Sequence, residues 1–128
     1  MSDKFTVEII TPDQSILKSE ASEVTIPSYE GQMGILKDHI PLITFLRPGL
    51  IKILNGSEKR LFVEEGTVEF ANNNLLILTS TARELTNSNK GSFSTLLQDS
   101  TKKINDENLT DKEKYLLSYK IETLKEIN

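Results

Sequence analysis

Apolar and polar residues alternate along much of the first part of the chain. Phe5, Val7 and Ile9 alternate with Thr6 and Glu8, which is the period of a half-buried strand. Comparable segments recur about every ten residues, separated by turn residues such as an Asn-Gly pair that favours a hairpin. This pattern predicts an antiparallel sandwich or barrel of short strands.

The pattern changes near the C-terminus, because residues 92–128 contain neither Gly nor Pro. Phe93, Leu96 and Leu97 are spaced to share one face of a helix. Ser92, just before them, is a plausible N-cap for that helix. We therefore predict that a first helix begins here.

A second helix is predicted after a polar interruption. Thr110 and Glu113 have the spacing of a capping box, in which each side chain satisfies a backbone amide of the first turn. Leu117, Ile121 and Leu124 then form an apolar stripe. The two predicted helices form an antiparallel hairpin. Because short helices do not bury such stripes alone, they must pack on each other, on the sandwich or on a partner.

The two patterns divide the chain into two predicted domains. Residues 1–86 form the predicted β-sandwich and contain 8 basic and 12 acidic residues. Residues 87–128 form the predicted helical hairpin and contain 7 of each. The string between them has the composition of a linker.

Composition and charge exclude several functional classes. The 128 residues include 15 Lys and Arg against 19 Asp and Glu, and a net charge of −4 argues against a broad basic face for nucleic acid. With no Cys and one His, disulfides, thiolate metal sites and His clusters are excluded. No uncharged stretch approaches the ~18 residues of a membrane helix, and the N-terminus lacks a signal-peptide core. We expect a cytoplasmic protein without direct membrane insertion.

One segment carries a specific motif. Residues 24–42 read VTIPSYEGQMGILKDHIPL, and Pro48-Gly49 follows at a fixed distance. This pattern resembles the epsilon subunit of bacterial F-type ATP synthases, equivalent to the mitochondrial delta subunit, whose signature is Glu-Gly-x-x-Gly-Ile-x-x-x-His-x-Pro-Leu. The resemblance covers residues 4–86 closely and the remaining residues only in length and helical character.

The resemblance implies a fold and a role. The fold is a β-sandwich of about ten short antiparallel strands followed by a two-helix hairpin. The role is that of a non-catalytic central-stalk (rotor) subunit without a cofactor, which couples proton flow through the c-ring to ATP synthesis. Such a subunit is peripheral to the cytoplasmic face of the bacterial inner membrane. The implied gamma-subunit contacts are His39, Ile40, Pro41 and Leu42, and the implied c-ring contacts are Glu30, Gly31, Gln32 and Met33.

The resemblance also bears on the helical hairpin. It implies that the hairpin can extend to the alpha/beta catalytic head, with Lys112, Lys114 and Lys120 as candidate contacts, although a solvated helix face explains the same lysines. Nucleotide-sensing members carry an Asp and an Arg at the start of the hairpin. The matching positions here hold neither, so we expect no ATP binding by this chain alone, and inhibition of hydrolysis stays open. Those positions are Ser88, Asn89, Ser92 and Phe93.

Simpler interpretations stand beside these. His39 is explained equally well by local hydrogen bonds in a turn, and no nucleophile and carboxylate can be placed around it for catalysis. Gly31 and Gly34 are explained by turns that need a positive φ. The segment 40–46 is predicted as a core strand, with a partly exposed patch of Ile40, Leu42 and Phe45 as the alternative.

Two alternative functions remain at this point. One is an ATP-sensing regulatory hairpin, which the missing Asp and Arg argue against. The other is an unrelated β-sandwich interaction module, for which the absence of Trp removes the most obvious sugar-binding platform.

Overall fold

A computed structural model describes residues 3–86 and 89–127, so Ser88, one of the positions compared with the nucleotide-sensing motif, lies outside the described residues. The described residues form ten strands and two helices, and the chain divides into two compact units, Met1–Glu84 and Leu85–Asn128. That residues 1–86 form a separate domain stays a prediction.

The strands are β1 (Phe5–Ile10), β2 (Ser15–Ala21), β3 (Glu23–Ser28), β4 (Gly31–Leu36), β5 (Leu42–Leu46), β6 (Gly49–Asn55), β7 (Ser57–Val63), β8 (Gly66–Ala71), β9 (Asn74–Leu78) and β10 (Arg83–Glu84). The helices are α1 (Lys90–Lys103) and α2 (Asp111–Ile127).

The strands pair in the order β10-β7-β6-β3-β5-β8-β9-β1-β2, and β4 pairs with β3 outside this path. This β-sandwich followed by two helices confirms the predicted fold class. Among the described strands, β1 and β9 run parallel while the other pairs are antiparallel. The parallel pair joins segments far apart in sequence, which a pattern of local hairpins does not predict.

The core of the first unit lies between the inward faces of these strands. Strand β1 illustrates the alternation, because Phe5, Val7 and Ile9 are buried while the residues between them are half-buried. Side chains from every strand between β2 and β9 complete the same cluster. The period of two in the sequence marks the core face of β1 correctly, whereas in β6 the successive residues Gly49, Leu50 and Ile51 are all buried.

Strand β3 joins two groups of strands. Val24 pairs with β4 on one edge and β6 on the other, whereas Ser28, at the far end of β3, pairs with Leu46 of β5. The chain passes from β5 to β6 directly against β3, where the amide of Arg47 donates to the carbonyl of Pro27 at 2.9 Å. Pro27 suits this position, because the pairing there uses its carbonyl and needs no amide hydrogen.

Helix α2 begins as the sequence predicts. The amide of Glu113 donates to the hydroxyl of Thr110 at 3.1 Å, and the amide of Thr110 donates to the carboxylate of Glu113 at 3.2 Å. These reciprocal bonds are a capping box. The amide and the hydroxyl of Thr110, with a smaller contribution from Lys103, hold the pKa of the Glu113 carboxyl below its ordinary value.

The predicted start of helix α1 is wrong. The residue before the helix is Asn89, which makes no capping side-chain bond, and Ser92 lies inside the first turn. The Ser92 hydroxyl donates to the carbonyl of Asn89 at 2.7 Å, so it binds backward and caps no amide. The predicted apolar stripes are correct in both helices, with Phe93 and Leu124 fully buried.

We expect Gly49→Ala to destabilise the protein by about 2 kcal/mol, because the change overpacks a rigid site. A methyl group at Gly49 would clash with Cβ of Pro27, whose ring cannot rotate away. Urea unfolding measures the loss. Gly34→Ala is the matched control in the same unit, since its methyl group would meet Glu23 at an ordinary 3.6 Å. Equal stability of the two variants would contradict the close approach of β3 and β6.

A second prediction concerns how the stability of α2 depends on pH. Because the folded-state pKa of Glu113 is lowered, the capping box stabilises α2 above the unfolded-state pKa of Glu113 and loses this effect as pH falls through the lowered value. An NMR titration of the Glu113 side chain checks the shift, and Thr110→Ala should move the pKa part of the way back. Thr101→Ala, on α1, is the control and should leave it unchanged. An identical titration in Thr110→Ala and the unmodified chain would contradict a role for the hydroxyl.

Candidate functional site

The turn between β3 and β4 presents polar groups to solvent. Glu30 and Gln32 are exposed, and Gly31 between them has a φ of +121°. The hydroxyl of Ser28 donates to the carbonyl of Gly31 at 2.7 Å, which fixes the turn from a buried position. Only Gly adopts such a φ without strain, so the conformational explanation for Gly31 is sound.

The other two residues of this segment differ from expectation. Gly34 does not have a positive φ, so the turn-based explanation is wrong for it; it lies within β4, where a methyl group would make an ordinary contact. Met33 is half-buried and packs against the core cluster. Of the four predicted contacts, Glu30 and Gln32 therefore have the exposed side chains, and Tyr29 beside them is 40% exposed.

The loop between β4 and β5 carries the only His. The His39 amide donates to the carbonyl of Leu36 at 3.1 Å, and the ring Nδ1 donates to the carbonyl of Ile40 at 2.7 Å. The ring lies edge-on to Phe70, with centroids 5.9 Å apart. The half-buried imidazole therefore shapes the loop, while Ile40 (74% exposed) and Pro41 beside it face solvent.

Strand β5 is not the fully buried strand that the sequence favoured. Ile43 is 77% exposed and Phe45 is 58% exposed, whereas Leu42 is half-buried and packs against the core. The alternative, a partly exposed patch of Ile40, Leu42 and Phe45, is therefore correct for Ile40 and Phe45 and wrong for Leu42. Residues 42 and 45 cannot share a face of a regular strand, because successive side chains alternate. Ile43 is the residue that was missed, and the period of two counted back from Phe45 would have found it.

The exposed side of β5 continues across the sheet. Phe45 pairs with Thr67 of β8, and Thr67 pairs with Leu78 of β9, which is 45% exposed. In the next row, Ile43 pairs with Glu69. We call Ile43, Phe45 and Leu78 the outer patch. It is an apolar area on the side of the sheet that faces away from the core. Thr67 lies between Phe45 and Leu78, and Glu69 lies beside Ile43.

The two sets of candidate residues lie at opposite ends of β4. Glu30 and Gly31 precede or begin the strand, and His39 follows its last residue, Leu36. Six residues of strand span about 17 Å, so one small partner group cannot touch both sets. Strand β5 returns between them, because the amide of Tyr29 donates to the carbonyl of Phe45 at 3.2 Å.

In the helical unit, Lys112 and Lys114 are exposed in the first turn of α2, beside the capping box, and Lys120 is half-buried further along. Asn89, Ser92 and Phe93 lie at the start of α1, where none of the three carries a charge. The structure places these lysines but does not test their predicted contacts, which stay predictions.

Residues 3–86 and 89–127 lack two features that would indicate other kinds of function. No group of three His, Asp or Glu side chains is arranged to hold a metal ion in these ranges. No helix in them is long and apolar enough to cross a membrane.

Comparisons with known proteins give a consistent result. Residues 4–85 match the family described as ATP synthase, Delta/Epsilon chain, beta-sandwich domain. The ATP synthase epsilon chain of Pelagibacter ubique (strain HTCC1062) is 45% identical over 130 residues, covering 100% of both proteins. The ATP synthase epsilon chain of Rickettsia africae (strain ESF-5) is 32% identical over 111 residues, covering 84% of this chain and 99% of that one.

Solved structures share the fold. A chain in the cryo-EM structure of the Euglena gracilis mitochondrial ATP synthase (OSCP/F1/c-ring) has a TM-score of 0.74 at 19% identity, covering 98% of this chain and 79% of that chain. A chain in the Tetrahymena thermophila mitochondrial ATP synthase structure (central stalk/c-ring) has a TM-score of 0.61 at 16% identity, covering 94% and 93%. At these identities the likeness concerns the fold alone.

Proposed function

The chain belongs to the delta/epsilon chains of ATP synthase, and from this membership we propose that it is a central-stalk subunit of an F-type enzyme. In this role it binds the gamma subunit and the c-ring and couples proton flow to ATP synthesis. It has no catalytic step of its own. It is held at the cytoplasmic face of the bacterial inner membrane by protein contacts.

The observation that carries the gamma contact is the outer patch. Ile43 and Phe45 expose most of their side chains on a regular strand whose opposite side faces the core. Apolar side chains grouped in this way are typical of a protein interface, whereas scattered ones need no explanation. Ile40, in the loop that enters β5, adds a further exposed apolar side chain beside the predicted contacts His39 and Pro41.

The turn at Glu30 supports the c-ring contact. Its predicted contact residues expose a carboxylate and an amide on a backbone fixed by Ser28 and Gly31. Such groups suit a polar surface, where hydrogen bonds and charge complementarity set orientation more than affinity. This turn is separated from Ile40 by the length of β4, so the c-ring contact and the gamma contact at Ile40 do not overlap. Phe45 lies closer to the turn, because its carbonyl accepts from the amide of Tyr29.

We expect Ile43→Lys to weaken binding to the purified cognate gamma subunit by about 30-fold, which corresponds to the ~2 kcal/mol of an interface hot spot. The ammonium group would have to lose its water in an apolar contact. In the free protein it faces Glu69 across the strand pair, so the fold should tolerate it. Isothermal titration measures the affinity.

Leu54→Lys is the matched control. Leu54 is another exposed apolar residue on a strand (39% exposed), and it too faces a glutamate, Glu58, across the strand pair. It lies outside the outer patch and should bind gamma normally. The 1–86 fragment should bind like the full chain, since the core cluster and the outer patch lie within it. Equal affinity of Ile43→Lys and the unmodified chain would contradict the patch as the interface.

The c-ring contact predicts a different loss. Joint replacement of Glu30 and Gln32 by Lys should weaken co-sedimentation with detergent-solubilised c-ring by about tenfold, because it replaces an acceptor and a neutral amide with cations. Binding to gamma should be unchanged. Glu58→Lys, in the hairpin of β6 and β7, is the control for charge alone. Loss of gamma binding in the Glu30 and Gln32 variant would contradict the separation of the two contacts.

The helical hairpin enters this proposal only as a separate question. Neither Asn89 nor Ser92 nor Phe93 carries the charge that nucleotide-sensing members have there, so ATP is not expected to bind. Contacts from Lys112, Lys114 and Lys120 to the catalytic head are exposed ion pairs at best, and such pairs are individually weak.

A further inference from the structure

Two side chains from distant parts of the first unit are joined by a pair of hydrogen bonds. The amide of Asp38 donates to Oδ1 of Asn73 at 2.7 Å, and Nδ2 of Asn73 donates to Oδ1 of Asp38 at 2.9 Å. Asp38 lies in the loop between β4 and β5, and Asn73 lies in the turn between β8 and β9. The pair therefore links two loops that are 35 residues apart in the chain.

Asp38 holds an unusual backbone conformation. Its φ is +66°, and it is the third residue of a turn closed by the bond from the His39 amide to the Leu36 carbonyl. A positive φ at this position is the geometry of a type II turn, which usually has Gly or Asn there. An Asp residue adopts it at some cost, so the conformation depends on the bonds that the side chain and amide of Asp38 make.

Asn73 is itself a fixed partner. Its φ is +59°, and its carbonyl accepts a bond from the amide of Thr6 at 3.0 Å, which ties the turn to the start of β1. The side chain of Asn73 thus extends from a backbone held by two strands. It is an anchor to which the less regular loop of residues 37–41 is attached.

The loop determines where an exposed contact residue lies. His39 follows Asp38 directly, bonds the carbonyl of Ile40 and packs edge-on against buried Phe70. Ile40 then faces solvent next to the start of β5. If the turn at Asp38 relaxed to a negative φ, the chain after it would leave in another direction and Ile40 would be displaced from its place beside the start of β5.

We propose that Asp38 and Asn73 are positioning residues that hold the 37–41 loop so that Ile40 is presented to the gamma subunit. This inference rests on the proposed function. Neither residue is required to touch gamma. Both bonds lie at an exposed site, so their loss should change the loop far more than the stability of the whole unit.

The chemistry of the pair allows an exchange experiment. In Asn73→Asp, one carboxylate oxygen can still accept from the Asp38 amide, but the other meets the Asp38 carboxylate and the second bond becomes a repulsion. In Asp38→Asn, both bonds can form. In the double variant, Nδ2 of residue 38 donates to the new carboxylate at residue 73, so both bonds return with the net charge of the original chain.

We expect Asn73→Asp to weaken gamma binding about tenfold, Asp38→Asn to change it less than about twofold, and the double variant to restore it. Asn72→Asp is the matched control. It adds the same charge to the same turn, at a residue with a φ of +52° that makes neither of the two bonds to Asp38. Amide hydrogen exchange should quicken at His39 in Asn73→Asp and return to normal in the double variant.

A second comparison separates positioning from general damage. In an Ile40→Ala background, Asn73→Asp should cause little further loss of affinity, because the residue that it positions is already removed. Full additivity of the two changes would overturn the inference, and so would an Asn73→Asp loss that the double variant does not restore. Normal gamma binding by Asn73→Asp would overturn it while leaving the proposed function in place. Failure of the unmodified chain to bind gamma would overturn both.

Discussion

The arrangement of the first unit depends on how one strand, β3, is shared. Its first residues pair with β6 and its last residue pairs with β5, while β4 occupies its other edge throughout. The sharing is possible because Gly49 has no side chain where the chain crosses Pro27. A residue with a Cβ at that crossing would separate β6 from β3, and β5 would lose its position at the end of β3.

This junction also sets where the accessible surfaces lie. Strand β5 is held at one end by Ser28 and Tyr29 and along one edge by β8. Among the described residues, no further strand covers its outward face, which carries Ile43 and Phe45. Ile43 and Phe45 are therefore exposed by the topology and not by local polarity. The turn at Glu30 is held at the other edge of the same junction. Strand β3 thus positions two surfaces, the polar turn at Glu30 and the apolar outward face of β5.

The sequence predicted those parts of the molecule that local chemistry determines. The capping box at Thr110 and Glu113 formed as expected, because its two bonds involve residues three apart. The period of two identified the core face of β1 for a similar reason. Strand β2 was not recognised, since Ile16 and Leu17 are adjacent apolar residues and the inward positions that follow, Ser19 and Ala21, hold small side chains that give little apolar signal.

Long-range features escaped prediction. The parallel pairing of β1 with β9 and the bonds between Asp38 and Asn73 join residues that no short pattern connects. Ser92 was misassigned because a hydroxyl near a helix start can donate backward as well as accept an amide, and the sequence does not distinguish the two. In the candidate site, Ile40 was found as part of a motif, but its exposure follows from the loop and not from its own hydrophobicity.

The proposed role explains why these contact surfaces need to be held at fixed positions. A subunit that transmits torque between two partners must keep the distance and orientation between its contact surfaces constant, since any local flexibility would absorb the rotation. Paired strands supply this constancy between the Glu30 turn and β5. The 37–41 loop is not part of a strand, and Ile40, the proposed contact residue, lies within it. The bonds between Asp38 and Asn73 fix this loop, because Asn73 lies in a turn that is itself bonded to β1. They give an irregular segment the fixed position that the strands obtain by pairing.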